Sequence, residues 1–343
     1  MAINVLIVDD SAVVRNTLKE ELGKDPEIHV VGTAPDPYVA RDRIIQLKPD
    51  VITLDIEMPR MDGISFLAKI MQHYPLPVIV ISSLSTEGSE IALNALELGA
   101  VEAFAKPGVA HSVGELGQRL RQAIKDAASS KIVFRKPALV PIVSKPTALA
   151  QTTNKIVAIG ASTGGTTALE VVLRQFPRNA PGTVIVQHMP AGFTKAFSDR
   201  LNKCCEVSVK EAEDGDQILS GHVLIAPGNK HMAVKRSGSQ YHVVVKDGPL
   251  VGHHRPAVEV LFRSVATHVG ANAVGIMLTG MGADGAAGMK TMKDAGARTI
   301  AQDEASCVVF GMPRAAIEAG GVDKIVSLER ITPEMLKIIS EIG

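Results

Sequence analysis

The stretch VAIGASTGGT, from Val157 to Thr166, contains the unit on which the fold is built. Its first half is an apolar run of the kind that forms a buried strand, and its second half is a glycine-rich turn with Ser162 in the middle. A helix with one apolar face is predicted next, from the helical spacing of Leu169, Val172, Leu173 and Phe176. A strand, a tight turn and a helix in this order predict an α/β domain with a parallel sheet.

The turn around Ser162 fits one of the two kinds of site that commonly follow a strand. A dinucleotide-binding turn needs G-x-G-x-x-G, and Ser162 stands where its second glycine would be. A P-loop needs G-x-x-x-x-G-K-[S/T], which does not occur in the chain. The pattern G-x-S-x-G does fit, from Gly160 to Gly164, and presents a serine hydroxyl near a helix end that can stabilise an oxyanion. The alternative is a turn of small residues in which Ser162 only caps the helix.

Composition narrows the class of protein. The 343 residues are enough for two domains with separate cores. Lysines and arginines number 36, as do aspartates and glutamates, so the net charge is zero and no nucleic-acid partner is expected. The start of the chain lacks signal-peptide character, and no apolar run approaches the ~20 residues that span a bilayer. Three cysteines indicate neither a disulfide framework nor a zinc site. We therefore expect a cytoplasmic protein without membrane insertion.

A proline-rich segment divides the chain. It runs from about Ser129 to Thr153 and carries Pro137, Pro141 and Pro146, and all of its charged side chains are basic. This density of proline disfavours both helices and central strands. We therefore predict a first domain over residues 1–125, a linker over 126–153 and a second domain over 154–343.

Strands and helices alternate clearly before the linker. Five apolar runs indicate buried parallel strands at Ile3–Val8, His29–Thr33, Val51–Leu54, Val78–Ile81 and Val101–Phe104. Helical periodicity lies between them, for instance over Gly63–Gln72. Five β/α units in about 125 residues predict a doubly wound, mainly parallel sheet with its site at the carboxyl ends of the strands.

Polar residues stand at those strand ends. Asp9 and Asp10 follow the first strand, Asp55 the third, Ser82 the fourth and Lys106 the fifth. Three carboxylates at one sheet edge repel one another and raise their pKa values unless a cation neutralises them. Oxygen ligands favour Mg²⁺. A carboxylate nucleophile can also accept a phosphoryl group, whose charge Mg²⁺ and Lys106 would offset.

The first 125 residues resemble the receiver domain of bacterial two-component response regulators. The resemblance rests on the motifs VLIVDDS, VITLDIEMPRMDG, VIVISS and AFAKP. It implies a flavodoxin-like fold in which Asp55 accepts phosphate from a histidine kinase. It also implies that Mg²⁺ is held by Asp10, Asp55 and the backbone carbonyl of Glu57, with Asp9 in support.

The receiver resemblance further implies that Ser82 and Lys106 contact the phosphoryl oxygens. This sequence departs from the family at one position. Receivers often carry an aromatic residue three positions before the lysine, where this chain has Ala103 with Phe104 beside it. The usual rotation of an aromatic side chain on phosphorylation is therefore in doubt here.

A second α/β pattern follows the linker. Its predicted strands are Lys155–Ile159, Thr183–Gln187, Val207–Val209, Val223–Ile225, Val274–Thr279 and Arg298–Ala301. A hairpin is predicted from Met232–Lys235 and Tyr241–Lys246, and a helix over Pro256–Val265 with its proline at the first helical position. This half is therefore also predicted to be a doubly wound α/β domain.

Three residues suited to acyl transfer follow strands of this second sheet. Ser162 follows the first, His188 the next, and Asp284 the strand that ends near Thr279. A hydroxyl needs a base to attack at neutral pH, and an imidazole needs a carboxylate that fixes its tautomer. The order Ser, His, Asp differs from that of the α/β-hydrolases, but a triad is defined by geometry. Glycines around Met281 leave backbone N–H groups available to an oxyanion.

The sequence leaves structural alternatives open for these residues. His188 can simply close a strand, and Asp284 can cap a turn. The rival bases are His222, His231, His253, His254 and Asp303.

Residues from about Asn154 to Ile342 resemble the catalytic domain of the chemotaxis protein-glutamate methylesterases. The motifs are GASTGG, VQHMP, HHRPAVEVLF, LTGMGADGA and FGMP, in that order. The resemblance implies a Rossmann-like hydrolase domain in which Ser162 is the nucleophile, His188 the base and acid, and Asp284 its orienting partner. The implied reaction is hydrolysis of glutamate γ-methyl esters on chemoreceptors, with release of methanol, and deamidation of glutamines there.

The same resemblance assigns supporting roles and partners. The backbone N–H of Met281 is implied as the oxyanion donor, and Thr163 and Arg255 are placed at the rim of the site. The implied partners are methyl-accepting chemoreceptors as substrate and a chemotaxis histidine kinase as phosphodonor. We expect Mg²⁺ in the receiver and no cofactor in the catalytic domain.

Two other functions compete with this prediction. A response regulator can carry a non-catalytic output module that only binds a partner, but no helix-turn-helix pattern with a basic face follows the linker. A hydrolase of small esters in general would use the same three residues. Because a sensor and a hydrolase share one chain, we also expect that the receiver covers the Ser162 cleft and that phosphorylation relieves this inhibition.

Overall fold

The chain forms two compact units, Met1–Lys136 and Pro137–Gly343. The structure, a computed structural model, describes residues 2–58, 62–83, 85–106, 113–129 and 155–341. Most of the predicted linker, 126–153, lies outside the described residues, and the predicted domain boundaries remain predictions. No helix in these described ranges is long and apolar enough to cross a membrane.

The first unit is a doubly wound α/β domain. Its strands are β1 (Ile3–Val8), β2 (Ile28–Ala34), β3 (Val51–Asp55), β4 (Val78–Ser82) and β5 (Glu102–Ala105). All pairings are parallel, and the strand order is β2-β1-β3-β4-β5. This is the flavodoxin-like order, which confirms the predicted fold of this half.

Five helices cover this sheet, namely α1 (Ala12–Leu22), α2 (Pro37–Leu47), α3 (Gly63–His73), α4 (Thr86–Glu97) and α5 (Val113–Ser129). The side chains of Ser11, Asp36, Asp62 and Ser85 accept backbone N–H groups at four helix starts, as N-caps do. Helix α5 runs to Ser129, past the predicted boundary at 125. It continues because Ile124 and Ala127 are buried in the core against the sheet.

The second unit contains a hairpin and a larger sheet. Its strands are β6 (Ile156–Ala161), β7 (Gly182–Gln187), β8 (Ser208–Glu211), β9 (His222–Ile225), β10 (His231–Ser237), β11 (Gln240–Lys246), β12 (Ala273–Met277), β13 (Arg298–Gln302) and β14 (Lys324–Val326). Strands β10 and β11 pair with each other, antiparallel. The other seven form one parallel sheet in the order β14-β13-β12-β6-β7-β9-β8.

The strand order places a crevice at the carboxyl end of β6. From β6 the chain passes to β7 on one side and later returns to β12 on the other side. Ligands of open α/β sheets bind at such a switch point, outside the carboxyl ends of the strands. Residues that follow β12, β6 and β7 therefore meet at one place, and these are the strands that precede Asp284, Ser162 and His188.

The helices of the second unit are α6 (Gly165–Leu173), α7 (Phe193–Cys204), α8 (Val258–His268), α9 (Ala286–Asp294), α10 (Met312–Glu318) and α11 (Ile331–Glu341). The hairpin packs on α8, where Met232 and Val234 join the same core as Leu261 and Val265. The hydroxyl of Ser264 accepts the N–H of Val234 at 2.8 Å.

Strand bounds in the second unit differ from prediction by one or two residues, and two further details differ more. Helix α8 begins at Val258, so the prediction of Pro256 at the first helical position is wrong. The helix begins later because a distant carboxylate, that of Asp284, accepts the N–H groups of its first two residues. Strand β14 was not predicted, since it is a three-residue edge strand with a partly exposed side chain at each position.

Candidate active site

Ser162 lies in the turn between β6 and α6. Helix α6 starts after Gly164, whose φ of 75° is left-handed. The side chain of Val308 packs directly against Gly164. A Cβ at Gly164 would lie 2.6 Å from Cβ of Val308, so only glycine fits. The helix has no side-chain cap, which contradicts the alternative that Ser162 is a helix cap. The hydroxyl of Ser162 lies 3.1 Å from Nδ1 of His188 instead.

His188 directly follows β7 and is held from two sides. Its backbone N–H donates to the carbonyl of Ala161 at 3.1 Å, which continues the pairing of β6 with β7. Its Nε2 lies 2.8 Å from Oδ2 of Asp284. Nδ1 therefore faces the serine and Nε2 the carboxylate, the reverse of the arrangement in chymotrypsin-like proteases. Either ring nitrogen can accept a proton while the other donates one.

Asp284 is buried and held by the start of α8. Its Oδ2 accepts the N–H of Val258 at 2.6 Å, and its Oδ1 accepts that of Glu259 at 3.1 Å. The side chain is 2% exposed. Burial alone would raise the pKa of Asp284, but the hydrogen bond and charge of His188 and the two backbone N–H groups hold it below its ordinary value. The carboxylate is thus ionised and fixed.

The rings of His188 and His254 are stacked. Their centroids are 3.8 Å apart and their planes differ by 7°. His254 was one of the rival bases, and in the structure it lies against the ring of His188 rather than on Ser162. Its flat contact restricts how the His188 ring can tilt away from the serine and the carboxylate.

The other rival bases are engaged elsewhere. Nδ1 of His222 lies 3.1 Å from the carbonyl of Ser220, and Nε2 of His231 lies 2.8 Å from the carbonyl of Pro249. Asp303 accepts the N–H of Ser306 at 3.0 Å. His253 is exposed at a left-handed backbone position with φ of 70°. The hydroxyl of Ser162 is bonded to none of these four side chains in the described structure.

The loop that carries Met281 is fixed beside Ser162. A Cβ at Gly280 would lie 2.8 Å from Cβ of Ser162, so the two backbones are in close contact. The carbonyl of Gly280 accepts N–H groups of Gly311 at 3.0 Å and Met312 at 2.8 Å, which belong to the FGMP motif. Within the described part of the chain, the N–H of Met281 donates to no protein acceptor, so it can serve a ligand.

Thr163 and Arg255 have different surroundings. Thr163 is buried next to Ser162 in the turn. The Arg255 guanidinium bonds to Oδ1 of Asn229, at 2.9 Å from Nε, and to the carbonyl of Gly248, at 2.5 Å from Nη1. The structure thus brings Thr163 to the site, while the described contacts of Arg255 fix its own loop next to His254.

The acidic residues of the first unit come together. Carboxylate oxygens of Asp9, Asp10 and Asp55 lie within 4.8 Å of one another. Burial and the charge of Asp55 raise the pKa of Asp9 to about 6, and burial also raises the pKa of Asp55. Oδ2 of Asp9 is buried without a hydrogen-bond partner. Mutual repulsion and an unpaired oxygen are what a divalent cation would relieve, so this cluster is compatible with Mg²⁺.

Lys106 and Glu57 bond to Asp55. Nζ of Lys106 lies 2.7 Å from Oδ2 of Asp55, and the N–H of Glu57 donates to Oδ1 at 2.9 Å. Burial lowers the pKa of Lys106, but the bond and charge of Asp55 outweigh it and leave that pKa raised. The hydroxyl of Ser82 points elsewhere, since it donates to the carbonyl of Gly88 at 3.0 Å.

The position of the usual receiver aromatic is occupied by buried Ala103. Phe104 is 2% exposed and packs in the core of the domain, with the guanidinium of Arg119 5.6 Å from its ring centroid. Neighbouring strand residues point to opposite faces of a sheet. Phe104 therefore does not replace the missing aromatic at position 103.

Comparisons with known proteins identify the family. A family profile described as CheB methylesterase matches residues 157–335, and one described as response regulator receiver domain matches residues 5–116. The chain belongs to the CheB methylesterase family. This confirms the predicted family and enzyme class, and nothing in the comparisons supports a non-catalytic output module.

Curated relatives match the chain over almost its full length. It is 55% identical to a protein-glutamate methylesterase/protein-glutamine glutaminase of Syntrophus aciditrophicus, over 98% of this chain and 99% of that one. It is 52% identical to a protein of the same name from Salmonella typhimurium, over 98% and 97%. The crystal structure of the Thermotoga maritima CheB methylesterase catalytic domain is 38% identical, with a TM-score of 0.53 over 54% of this chain and 99% of that one.

Sequence reasoning missed two buried polar residues of this CheB domain. Thr279 and Gln302 stand just past β12 and at the end of β13, and both are fully paired behind Ser162. Their sequence signal was a polar residue at the end of an apolar run, next to a glycine-rich loop in the case of Thr279. The same signal selected Ser162 and His188.

Proposed function

We propose that this chain hydrolyses glutamate γ-methyl esters on chemoreceptors, releasing methanol, and deamidates glutamines at such sites, with Ser162 as nucleophile. The observation that carries the proposal is the hydrogen-bonded row of Ser162, His188 and Asp284 at the switch point of the sheet. The names of relatives 52–55% identical over nearly the whole chain support the substrate class.

The first half of the reaction forms an acyl-enzyme. Oγ of Ser162 bonds to the ester carbonyl carbon as its proton passes to Nδ1 of His188. Asp284 stabilises the resulting imidazolium through Nε2. The C–O bond to the methoxy group then breaks, and His188 returns the proton to the leaving oxygen, which yields methanol. With a glutamine side chain the C–N bond breaks instead and ammonia leaves.

The second half repeats this route with water. His188 takes a proton from water, the hydroxyl oxygen bonds to the acyl carbon, and the bond to Oγ of Ser162 breaks with return of the proton to it. In both halves an oxyanion forms at the carbonyl oxygen. The unpaired N–H of Met281 and the N-terminal end of α6 support its stabilisation. Thr163 and Arg255 remain proposed rim residues.

We further propose that Asp55 accepts a phosphoryl group from a chemotaxis histidine kinase. Asp10, Asp55 and the carbonyl of Glu57 would hold Mg²⁺, with Asp9 in support, and the bound ion would offset phosphoryl charge. Lys106, already bonded to Asp55, and Ser82 would contact the phosphoryl oxygens. We also propose a cytoplasmic location, because the proposed substrate is the cytoplasmic part of chemoreceptors.

Methanol release from methylated receptor membranes tests the hydrolase proposal. The full chain should release methanol, and Ser162→Ala should lower the rate about 10⁴-fold or more with the fold intact, since the only proposed covalent acceptor is lost. Substantial activity in a folded Ser162→Ala protein would contradict the proposal that Ser162 is the nucleophile. Equal turnover of p-nitrophenyl esters and receptor esters would instead favour a general esterase.

A further inference from the structure

Thr279 lies two residues past β12, is 1% exposed, and bonds through its side chain to two loops. Its Oγ1 lies 3.0 Å from the carbonyl oxygen of Thr163 and 3.3 Å from that of Val309, and the shorter distance marks Thr163 as its acceptor. The same oxygen accepts the N–H groups of Val308 at 3.1 Å and Val309 at 3.0 Å. One hydroxyl thus joins the turn that carries the nucleophile to the segment that precedes the FGMP motif.

The main chain of Thr279 holds the same turn a second time. Its carbonyl accepts the N–H of Ser162 at 3.1 Å. Thr279 therefore holds the turn at two peptide groups. Its carbonyl accepts the N–H of Ser162, and its hydroxyl donates to the carbonyl of Thr163. The peptide between them is fixed by its carbonyl, which accepts Nε2 of Gln187 at 2.9 Å and the N–H of Gly165 at 2.7 Å.

This bonding determines which N–H groups remain for a substrate. The N–H of Ser162 is used by Thr279 and cannot meet an oxyanion. The N–H groups of Thr163 and Met281 donate to no protein acceptor in the described ranges. Thr279 fixes the position of both N–H groups. It holds the turn that contains Thr163, and it directly precedes Gly280 in the loop that carries Met281. The N–H of Gly280 donates to the carbonyl of Val309 at 3.1 Å.

Gln302 supports Thr279 from the next strand. Its Oε1 accepts the N–H of Thr279 at 2.8 Å, and its Nε2 donates to the carbonyl of Ser306 at 2.8 Å. Gln302 is fully buried. The side-chain polar atoms of Thr279 and Gln302 all have partners, and buried polar groups paired in this way are rigid and specify one arrangement. The clamp is therefore part of the sheet, and not of a free loop.

We propose that Thr279 is a positioning residue for ester hydrolysis. Its hydroxyl holds the Ser162 turn against the 308–309 segment, so that the N–H groups of Thr163 and Met281 converge on one oxyanion. Thr279 touches neither substrate nor the reacting atoms. The inference rests on the proposed function, because it needs an oxyanion to form next to Ser162.

The test compares Thr279→Val with Thr279→Ser in the full chain. Valine keeps the volume and removes the hydroxyl, which leaves the carbonyl of Thr163 and two N–H groups without their partner. We expect kcat for methanol release to fall about 10- to 100-fold, as for misplacement of catalytic groups by up to 1 Å, with KM changed less than about threefold. Serine restores the hydroxyl, and kcat should return to within about threefold of wild type.

Thr183→Val is the matched control. Thr183 is a buried threonine of the same sheet, at the start of β7, and its hydroxyl donates to the carbonyl of Pro181 at 2.9 Å. It lies at the opposite end of the strands from Ser162. This variant should lose stability without the loss of kcat. If Thr279→Val does not fold, Thr279→Ala, which also lacks the hydroxyl, takes its place.

Three results would overturn the role of Thr279. These are a Thr279→Val kcat within about twofold of wild type, a Thr279→Ser enzyme as slow as Thr279→Val, or an equal loss in Thr183→Val. Each leaves the proposed function standing, because that function is tested by methanol release from the wild-type chain and by its loss in Ser162→Ala. The two failures are therefore distinguishable in one set of assays.

Discussion

The carboxylate of Asp284 bonds to His188 and to the first residue of α8 with the same oxygen. Oδ2 lies 2.8 Å from Nε2 of His188 and 2.6 Å from the N–H of Val258. The start of α8 has no side-chain cap from its own N-cap residue, Ala257. Asp284 therefore both caps the start of α8 and fixes the proton positions on the imidazole of His188.

Asp284→Asn should disturb both the helix start and the imidazole, because Oδ2 meets Nε2 of His188 and the N–H of Val258 together. With its oxygen at the Oδ2 position, the amide keeps these two bonds but carries no charge to stabilise the imidazolium, and its nitrogen opposes the N–H of Glu259. With its nitrogen there, it opposes the N–H of Val258 and donates to Nε2, which places the imidazole proton on Nδ1, where a base is needed. We expect kcat to fall about 10³- to 10⁴-fold, by analogy with other triads. Methanol release measures it, and a loss below about tenfold would contradict the assignment.

The same substitution should change the response of stability to acid. The pKa of Asp284 is held below its ordinary value of 3.8 in the folded protein. Its ionised form thus contributes stability above pH 3.8, and this is lost as the pH falls through the lower folded value. Asp284→Asn should lack this acid-dependent part. Urea unfolding at pH 7 and pH 3 measures it, and identical pH dependence in both proteins would argue against an ionised, stabilising Asp284.

His254→Ala should release the ring of His188 from its stacked position. We expect kcat to fall roughly tenfold, because the imidazole then samples orientations that miss Ser162. His254→Phe keeps a flat ring and should retain most of the activity. His222→Ala, a change at an exposed histidine bonded to the carbonyl of Ser220, serves as control. Equal losses in the alanine and phenylalanine variants would show that stacking is not what matters.

The acidic cluster predicts a Mg²⁺ effect that grows with pH. Asp9 has a pKa of about 6 in the folded protein against 3.8 ordinarily, so its contribution to stability is full below pH 3.8 and is lost as the pH rises through 6. Mg²⁺ competes with this proton. The rise in Tm on adding Mg²⁺ should therefore be larger at pH 7.5 than at pH 5.

Two variants control this experiment. Asp9→Asn should weaken the pH dependence, while Asp42→Asn, at an exposed carboxylate paired with Arg41, should leave it unchanged. Calorimetry of the full chain at both pH values supplies the measurement. The same Tm rise at pH 5 and pH 7.5 would count against a metal site that includes Asp9.

Phosphorylation of Asp55 should raise hydrolase activity. A receiver tethered to its target acts at an effective concentration in the mM range, so weak docking can keep the site covered. A small phosphodonor should increase methanol release by the full chain, and Asp55→Asn should stay slow and unresponsive. Removal of Met1–Lys136 should raise the basal rate. If the truncated enzyme is no faster than the unphosphorylated full chain, simple occlusion is wrong, and direct activation by the phosphorylated receiver is favoured.

The sequence predicted the meeting of Ser162 and His188 because parallel strands share one edge. Once β6 and β7 were assigned, any residue directly after each had to lie at that edge. Asp284 was harder to place, because it is the seventh residue past the end of β12. The bonds from Asp284 to the N–H groups of Val258 and Glu259 could not be predicted. A helix start that is capped by a side chain from a distant loop has no local sequence pattern. The misplaced start of α8 at Pro256 has this same cause.

The order of the strands in the second sheet also could not be predicted from the sequence. Strand β9 lies between β7 and β8, so the chain passes over a neighbour before it returns. Apolar runs mark where strands occur and not which strands pair. The hydroxyl of Thr279 illustrates the same limit at atomic scale. Its partners Thr163 and Val308 come from distant parts of the chain, and only the pairing of the strands brings them together.

The bond from Ser82 to Gly88 has a consequence for how the receiver can respond. Gly88 lies in the first turn of α4, and its carbonyl accepts the Ser82 hydroxyl at 3.0 Å. A phosphoryl group on Asp55 would offer that hydroxyl a charged acceptor, and a charge-assisted hydrogen bond is roughly twice as strong as a neutral one. The hydroxyl has one proton to donate, so it can satisfy one acceptor at a time. The number of hydrogen bonds would then stay constant while the carbonyl of α4 is released, and the covalent state of Asp55 would be transmitted to α4 by the rotation of a single hydroxyl group.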